Sequence, residues 1–193
     1  AIGWDYDTIN EICARLNCTP EFIETSWEGM IVAVSNGEFD MAADGITITE
    51  ERAEIVSFSV PYVSIVQRLM VQLDEDRFAG LQDFVDGEFT VGVQLATTNY
   101  ITAEELVGEE RLVGFSDFGA AVQALIAGDV DAVVIDDVAG QGYTGVNADE
   151  VQLLGEALTD EGGLGFIYPL ESELTAAVDA ALALTTDSES PAE

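Results

Sequence analysis

Lysine and histidine are both absent from this chain, whose 193 residues set five arginines against 38 acidic side chains. Without histidine there is no Ser-His-Asp triad and no HExxH zinc site; without lysine there is no P-loop lysine and no Schiff base. Cysteine is scarce as well, and Cys13 and Cys18 cannot complete a four-ligand zinc site without histidine or further cysteines. The run Asp74-Glu-Asp-Arg77 lacks the glycine and closing glutamate of a calcium loop, so no metal and no cofactor is expected. No run of 18 apolar residues offers a membrane span, and no signal peptide begins at Ala1.

The formal charge is −33, which excludes a nucleic-acid partner, because phosphate binding needs a basic face that scattered arginines do not make. An anionic membrane repels such a chain too. This acidic excess suits concentrated salt, where the Debye length shrinks to ~3 Å at 1 M and self-repulsion is screened; an ordinary acidic surface is the alternative. Either way most carboxylates form a solvated face. Hydrophobic residues make up 48% of the chain, enough for a sizeable core in one large domain or two lobes. Cys13 and Cys18 are either a disulfide, in an oxidising compartment, or two buried thiols.

Periodicity predicts an amphipathic helix over 5–16, a strand over 21–25, a helix over 27–35 stopped by Gly37, and a strand over 39–43. Extended stretches follow at 57–59 and 66–73, the second long and apolar enough to cross between lobes. The second half repeats the grammar with a strand at 89–93, a helix at 98–107, a strand at 112–115, a helix at 118–127 closed by Gly128, and a strand at 132–135. A second crossing strand is expected over 162–169, a helix over 171–184, and a polar tail over 186–193. The quasi-repeat of helix, Gly37-Glu-Phe-Asp40, strand and helix, Gly128-Asp-Val-Asp131, strand makes each half its own α/β unit, with a cleft between two lobes. Ligands of open α/β sheets sit at the carboxyl ends of the strands, which points to Asp44-Gly45-Ile-Thr47 and to Asp136-Asp137.

Gly140-Gln-Gly-Tyr-Thr-Gly145 matches GxGxxG, but the residues after it give no apolar helix to face a pyrophosphate, and a loop is the expectation there. The segment from Thr47 to Arg52 is more informative. A free amino acid carries a carboxylate and an ammonium, so its site needs a fixed cation, neutral donors and one anion. Arg52 can supply a bidentate fork, Thr47 a hydroxyl, and Gly45 a backbone that lets a ligand approach closely. Thr97 and Thr98 open a helix whose free amides favour a carboxylate, and Asp136 takes the ammonium. Each has an ordinary alternative: Arg52 as a surface partner of Glu50, Glu51 and Glu54, the threonines as a plain N-cap, Trp27 as core instead of ligand lining.

Seven blocks occur in order: Gly3-Trp-Asp-Tyr-Asp7, Trp27-Glu-Gly-Met-Ile31, Gly37-Glu-Phe-Asp40, Gly45-Ile-Thr-Ile-Thr-Glu-Glu-Arg52, Phe58-Ser-Val-Pro-Tyr62, Val91-Gly-Val-Gln-Leu-Ala-Thr-Thr98 and Gly128-Asp-Val-Asp-Ala-Val-Val-Ile-Asp136. Together they resemble the polar amino-acid solute-binding proteins of ABC importers, with a periplasmic-binding-protein-like (type II) fold. The resemblance implies a two-lobed α/β clamshell with two hinge crossings, lobe 1 comprising residues 1–71 and 164–193 and lobe 2 residues 72–163. It implies that Arg52, Thr47 and the Gly45 backbone bind an α-carboxylate, that Thr98 adds a donor, and that Asp136 holds the α-amino group; Trp27 and Asp44 touch the side chain. It further implies a monomer outside the cytoplasm, lipid-anchored through an absent N-terminus, that hands a polar or basic L-amino acid to a membrane permease. The family's first strand is absent before Ala1, Ala96 stands where glycine is usual, and Asp44 where small residues are, an extra anion that disfavours glutamate. A dehydratase acting on prephenate-like acids and an amino-acid-sensing receptor domain remain the alternatives on this fold.

Overall fold

The computed structural model describes residues 3–186, with side chains as far as 183; the expected polar tail beyond 186 lies outside the described residues. The chain divides into two compact units, one of Ala1–Ser64 and Gly163–Glu193, the other of Ile65–Gly162. In chain order the elements are α1 (Trp4–Leu16), α2 (Trp27–Ser35), α3 (Glu50–Ala53), β1 (Ser57–Phe58), β2 (Val63–Ile65), β3 (Gln67–Gln72), α4 (Leu81–Asp86), β4 (Val91–Gln94) and α5 (Thr98–Val107). A 3-10 turn at Glu109–Arg111 leads to β5 (Leu112–Phe115), α6 (Phe118–Ala127), β6 (Ala132–Asp136), α7 (Asp137–Val146), β7 (Val151–Leu154), β8 (Gly162–Leu164), β9 (Ile167–Tyr168) and α8 (Leu174–Thr186).

In the first unit α1 and α8 bury Ile9, Ile12, Val178, Ala181 and Leu182 against Phe166 and Tyr168, while α2 buries Met30 and Val34 against Ile46, Val56 and Ile167. Strand pairing here is sparse. β1 pairs antiparallel with β9, β2 forms a two-stranded sheet with β8, and single bridges join Ala42 to Ile167 and Thr47 to Leu164. The strand predicted over 21–25 is not one, and that over 39–43 shrinks to the Ala42 bridge. A strand needs a partner for its backbone groups, and no partner runs beside 21–25 among the described residues, where Phe22 and Ile23 are exposed.

α1 ends with Asn17 in the left-handed conformation, φ 55°, and the Cys18 amide then donates to the Cys13 carbonyl at 2.9 Å. That reversal brings the two Cα atoms to 4.6 Å, and the cysteines form a disulfide. Because the closed loop is short, reduction is expected to lower unfolding stability by only about 2 kcal/mol; urea unfolding with and without reductant measures it, and a C13S/C18S variant reports the same quantity.

The second unit is a five-stranded sheet in the order β5-β4-β6-β3-β7, with β4 parallel to β5 and β6, and β3 antiparallel to β6 and β7. Period-two alternation separates its two faces. Leu69, Val71, Ala132 and Val134 face the core that holds Ala103 of α5; Met70, Val133 and Ile135 face the one that holds Ala121, Val122 and Leu125 of α6. The chain leaves β4 for β5 on one side and returns to β6 on the other, so the strand order reverses at β4, and the carboxyl ends of β4 and β6 form the switch point at which open α/β sheets bind ligands. α5 and α6 start where Thr97 and Asp117 accept from the amides of Tyr100 and Ala120, and α6 stops at Gly128, φ 79°.

One expectation is overturned here. The segment containing Gly140 to Gly145 is a helix, α7, and not a loop. Gly140 serves packing: a Cβ there would stand 2.8 Å from Leu153 Cδ2, so the helix lies close on the sheet. The motif sits inside the helix and not at its N-terminus, where a phosphate would bind. The strand Val151–Leu154 and the short helix Leu81–Asp86 carry too weak a pattern to be predicted.

Candidate functional site

In the first unit, the chain after Asp44 turns through Gly45, φ 59°, a left-handed conformation that a residue with a Cβ adopts at a cost of roughly 1 kcal/mol. Ile46 is fully buried, which anchors the segment and leaves Thr47 and Arg52 only partly covered. Thr49 caps α3 by accepting from the Arg52 amide at 3.2 Å. The Arg52 guanidinium then folds back, its Nη1 donating to the Thr47 carbonyl at 2.8 Å. Its central carbon lies 5.6 Å from the centroid of the Trp27 ring. Thus Arg52, Thr47 and Trp27 come together, with the guanidinium oriented by a carbonyl and an aromatic face, as a bidentate anion receptor requires.

Asp44 lies beside a second group that the sequence did not single out. Asp5, in the first turn of α1, is close to the Tyr62 hydroxyl, the Gly45 amide and the Asp44 carboxylate; burial raises its pKa, the first two oppose the rise, and Asp44 adds to it. Asp44 is exposed as a residue, yet its carboxyl is sufficiently covered that loss of hydration raises its pKa as well. Tyr62 stacks between Trp4 and Phe166 at 4.7 and 4.6 Å. Asp5 and Asp44 thus crowd two carboxyls beside Gly45.

In the second unit, Thr97, Thr98 and Asp136 gather at the carboxyl ends of β4 and β6. Ala96 precedes them in the left-handed conformation, φ 59°, the position at which glycine would be unstrained. Thr97 is buried and occupied, donating to the Gln94 carbonyl at 2.7 Å and accepting from the Tyr100 amide at 3.1 Å. It shapes the turn. Thr98, one residue on, accepts from Gln67 Nε2 at 2.9 Å. Asp136 is 7% exposed, on the α5 face of β6, and accepts from Asn99 Nδ2 at 2.9 Å. Asn99 and Gln67 escaped prediction because they act through partners 37 and 31 residues away, and no local pattern marks such bonds.

A separate concavity of about 260 Å³ lies in the same unit, lined by Glu75, Arg77, Gly128 and Asp131 among others. It is at the opposite end of β6, since Asp131 precedes that strand and Asp136 ends it. Arg77 is consumed there by Glu75 at 2.5 Å and Asp131 at 2.6 Å, and Asp131 also accepts from the Thr90 amide and hydroxyl, so this cluster holds the turn.

The chain belongs to the bacterial extracellular solute-binding proteins, family 3, whose defining pattern matches residues 1–192. It is 29% identical to a probable histidine-binding protein of Campylobacter jejuni subsp. jejuni serotype O:2 and 32% identical to the glutamate-binding protein GluB of Corynebacterium efficiens, alignments covering 88% and 93% of this chain. It spans 64% and 59% of the lengths of those relatives. Among solved structures, the arginine-, lysine-, histidine-binding protein ArtJ of Geobacillus stearothermophilus superposes with a TM-score of 0.89 at 30% identity, over 97% of this chain and 81% of that one. An ancestral amino acid-binding protein described as a precursor of cyclohexadienyl dehydratase gives 0.87 at 29%, over 96% and 80%. The type II periplasmic-binding fold expected from the sequence is therefore the fold observed.

Proposed function

We propose that this chain is the amino-acid-binding part of an extracytoplasmic solute-binding protein serving an ABC importer. Arg52, with Thr47 and the Gly45 backbone, receives the α-carboxylate; Asp136 receives the α-ammonium, and Thr98 donates a further hydrogen bond to the carboxylate. Trp27 orients Arg52. The observation that carries the reading is the Arg52 guanidinium, fixed by the Thr47 carbonyl and the Trp27 ring instead of being left to sample solvent. Asp44 and Asp5 favour a ligand with a polar or cationic side chain, in keeping with the relatives named for histidine and arginine. We further propose that the ligand leaves unchanged to a membrane permease and that the protein is not an enzyme; release of product from a prephenate-like acid would overturn that part. Anchoring to lipid and action as a monomer belong to the same proposal.

A thermal-shift screen of the twenty L-amino acids, in low and in high salt, tests it. A basic or polar amino acid is expected to raise the unfolding midpoint, by mass action on the folded state. High salt is expected to raise the ligand-free midpoint as well, by screening the charge of −33. No shift with any amino acid in either salt would refute the assignment.

A further inference from the structure

Gln67 begins β3 and is 3% exposed. Its backbone is satisfied, the amide donating to Thr159 Oγ1 at 3.1 Å and the carbonyl accepting from the Leu158 amide at 2.7 Å. Its side chain is satisfied only in part. Nε2 donates to Thr98 Oγ1 at 2.9 Å, whereas Oε1 is buried with no hydrogen-bond partner. A buried carboxamide oxygen without a donor is unfavourable, and native proteins keep very few. Packing does not call for one, since methionine would fill a similar volume without a polar atom.

Its position accounts for it. Gln67 is the register partner of Asp136 across the antiparallel β3 and β6 pair, and cross-strand partners share a face with Cβ atoms about 5 Å apart. Both belong to the α5 face, by the alternation that places Leu69 and Val134 in the core beneath that helix. Two bonds then tie the first turn of α5 to these strand ends, Gln67 to Thr98 and Asn99 to Asp136. A carboxamide and a carboxylate on paired strand positions are matched by a group with several N–H donors, as an ammonium has. The Thr98 oxygen accepts from Gln67, so its own hydrogen is directed away from Gln67.

We propose that Gln67 recognises and positions the ligand in the second half-site: its Oε1 accepts one hydrogen of the α-ammonium beside Asp136, while its Nε2 sets the Thr98 hydroxyl as a donor to the α-carboxylate. This rests on the amino-acid reading above. It makes a primary amine, with hydrogens for both acceptors, the preferred ligand over an Nα-methylated one.

The test compares wild type with Q67M and Q67E. L-Arginine, L-histidine and L-glutamine are each titrated by calorimetry alongside their Nα-methyl derivatives, and the ligand-free proteins are melted. Q67M is expected to melt at or above the wild-type midpoint, to bind the amino acids at least about tenfold more weakly, as loss of a hydrogen bond to a charged group implies, and to lose much of the preference for the primary amine. Q67E keeps an acceptor and is expected to keep that preference. A Q67M that melts lower and retains the wild-type preference shows a purely structural role and overturns the proposal, as does a Q67E that loses the preference. Wild type that binds none of the twenty amino acids brings down the binding function and this assignment together; wild-type binding left unchanged in Q67M removes this assignment alone.

Discussion

Arg52→Ala is expected to weaken binding of the amino acid that shifts the wild type most by about two to three and a half decades, measured by calorimetry. A carboxylate removed from water needs a cation, and leaving one partner of such a pair behind costs on the order of 3–5 kcal/mol, at about 1.4 kcal/mol per decade of affinity. Arg52→Lys is expected to fall between wild type and alanine. An ammonium keeps the charge but has no planar fork, so it cannot hold the Thr47 carbonyl, face the Trp27 ring and present two parallel donors together. The Thr49 cap binds the backbone amide of residue 52 and not its side chain, so α3 is expected to survive both substitutions.

Asp136→Asn should produce a loss of similar size. The carboxylate is the buried anion of the second half-site, and asparagine preserves its shape while removing the charge that an ammonium requires. Asn99 Nδ2 can still donate to the oxygen of an asparagine, so the tie between α5 and β6 is retained. The variant therefore separates recognition from folding: far-UV circular dichroism and the melting curve should stay close to wild type while affinity falls by about two decades or more. Affinity within threefold of wild type would place the ammonium elsewhere.

Much of the second unit was legible because its signals are local. Thr97, Asp117 and Gly128 mark helix ends through hydrogen bonds and a left-handed turn a few residues away, and the helices they bound fall where the sequence placed them. The first unit was less legible. Whether 21–25 or 39–43 becomes a strand is decided by neighbouring chain, and the alternation of side chains carries no record of it. α7 defied its composition because Gly140 lets the helix approach Leu153 and Ile135, a tertiary gain that outweighs poor helix propensity. The charged candidates Arg52 and Asp136 stand out in sequence, since a lone arginine among glutamates and an aspartate ending an apolar strand are both unusual. Gln67, Asn99 and Asp5 do not, because an amide or one acid among 38 acquires meaning only from burial and from partners distant in the chain.

Whether Arg52 receives a carboxylate is decided by changing the ligand and the residue together. L-Arginine, or whichever amino acid binds most tightly, and its α-carboxamide are titrated into wild type and Arg52→Ala by calorimetry. Wild type is expected to prefer the carboxylate by about a hundredfold or more, as a charge-assisted bidentate pair implies, and the variant to bind both forms equally weakly. An undiminished preference for the carboxylate in Arg52→Ala would contradict the account.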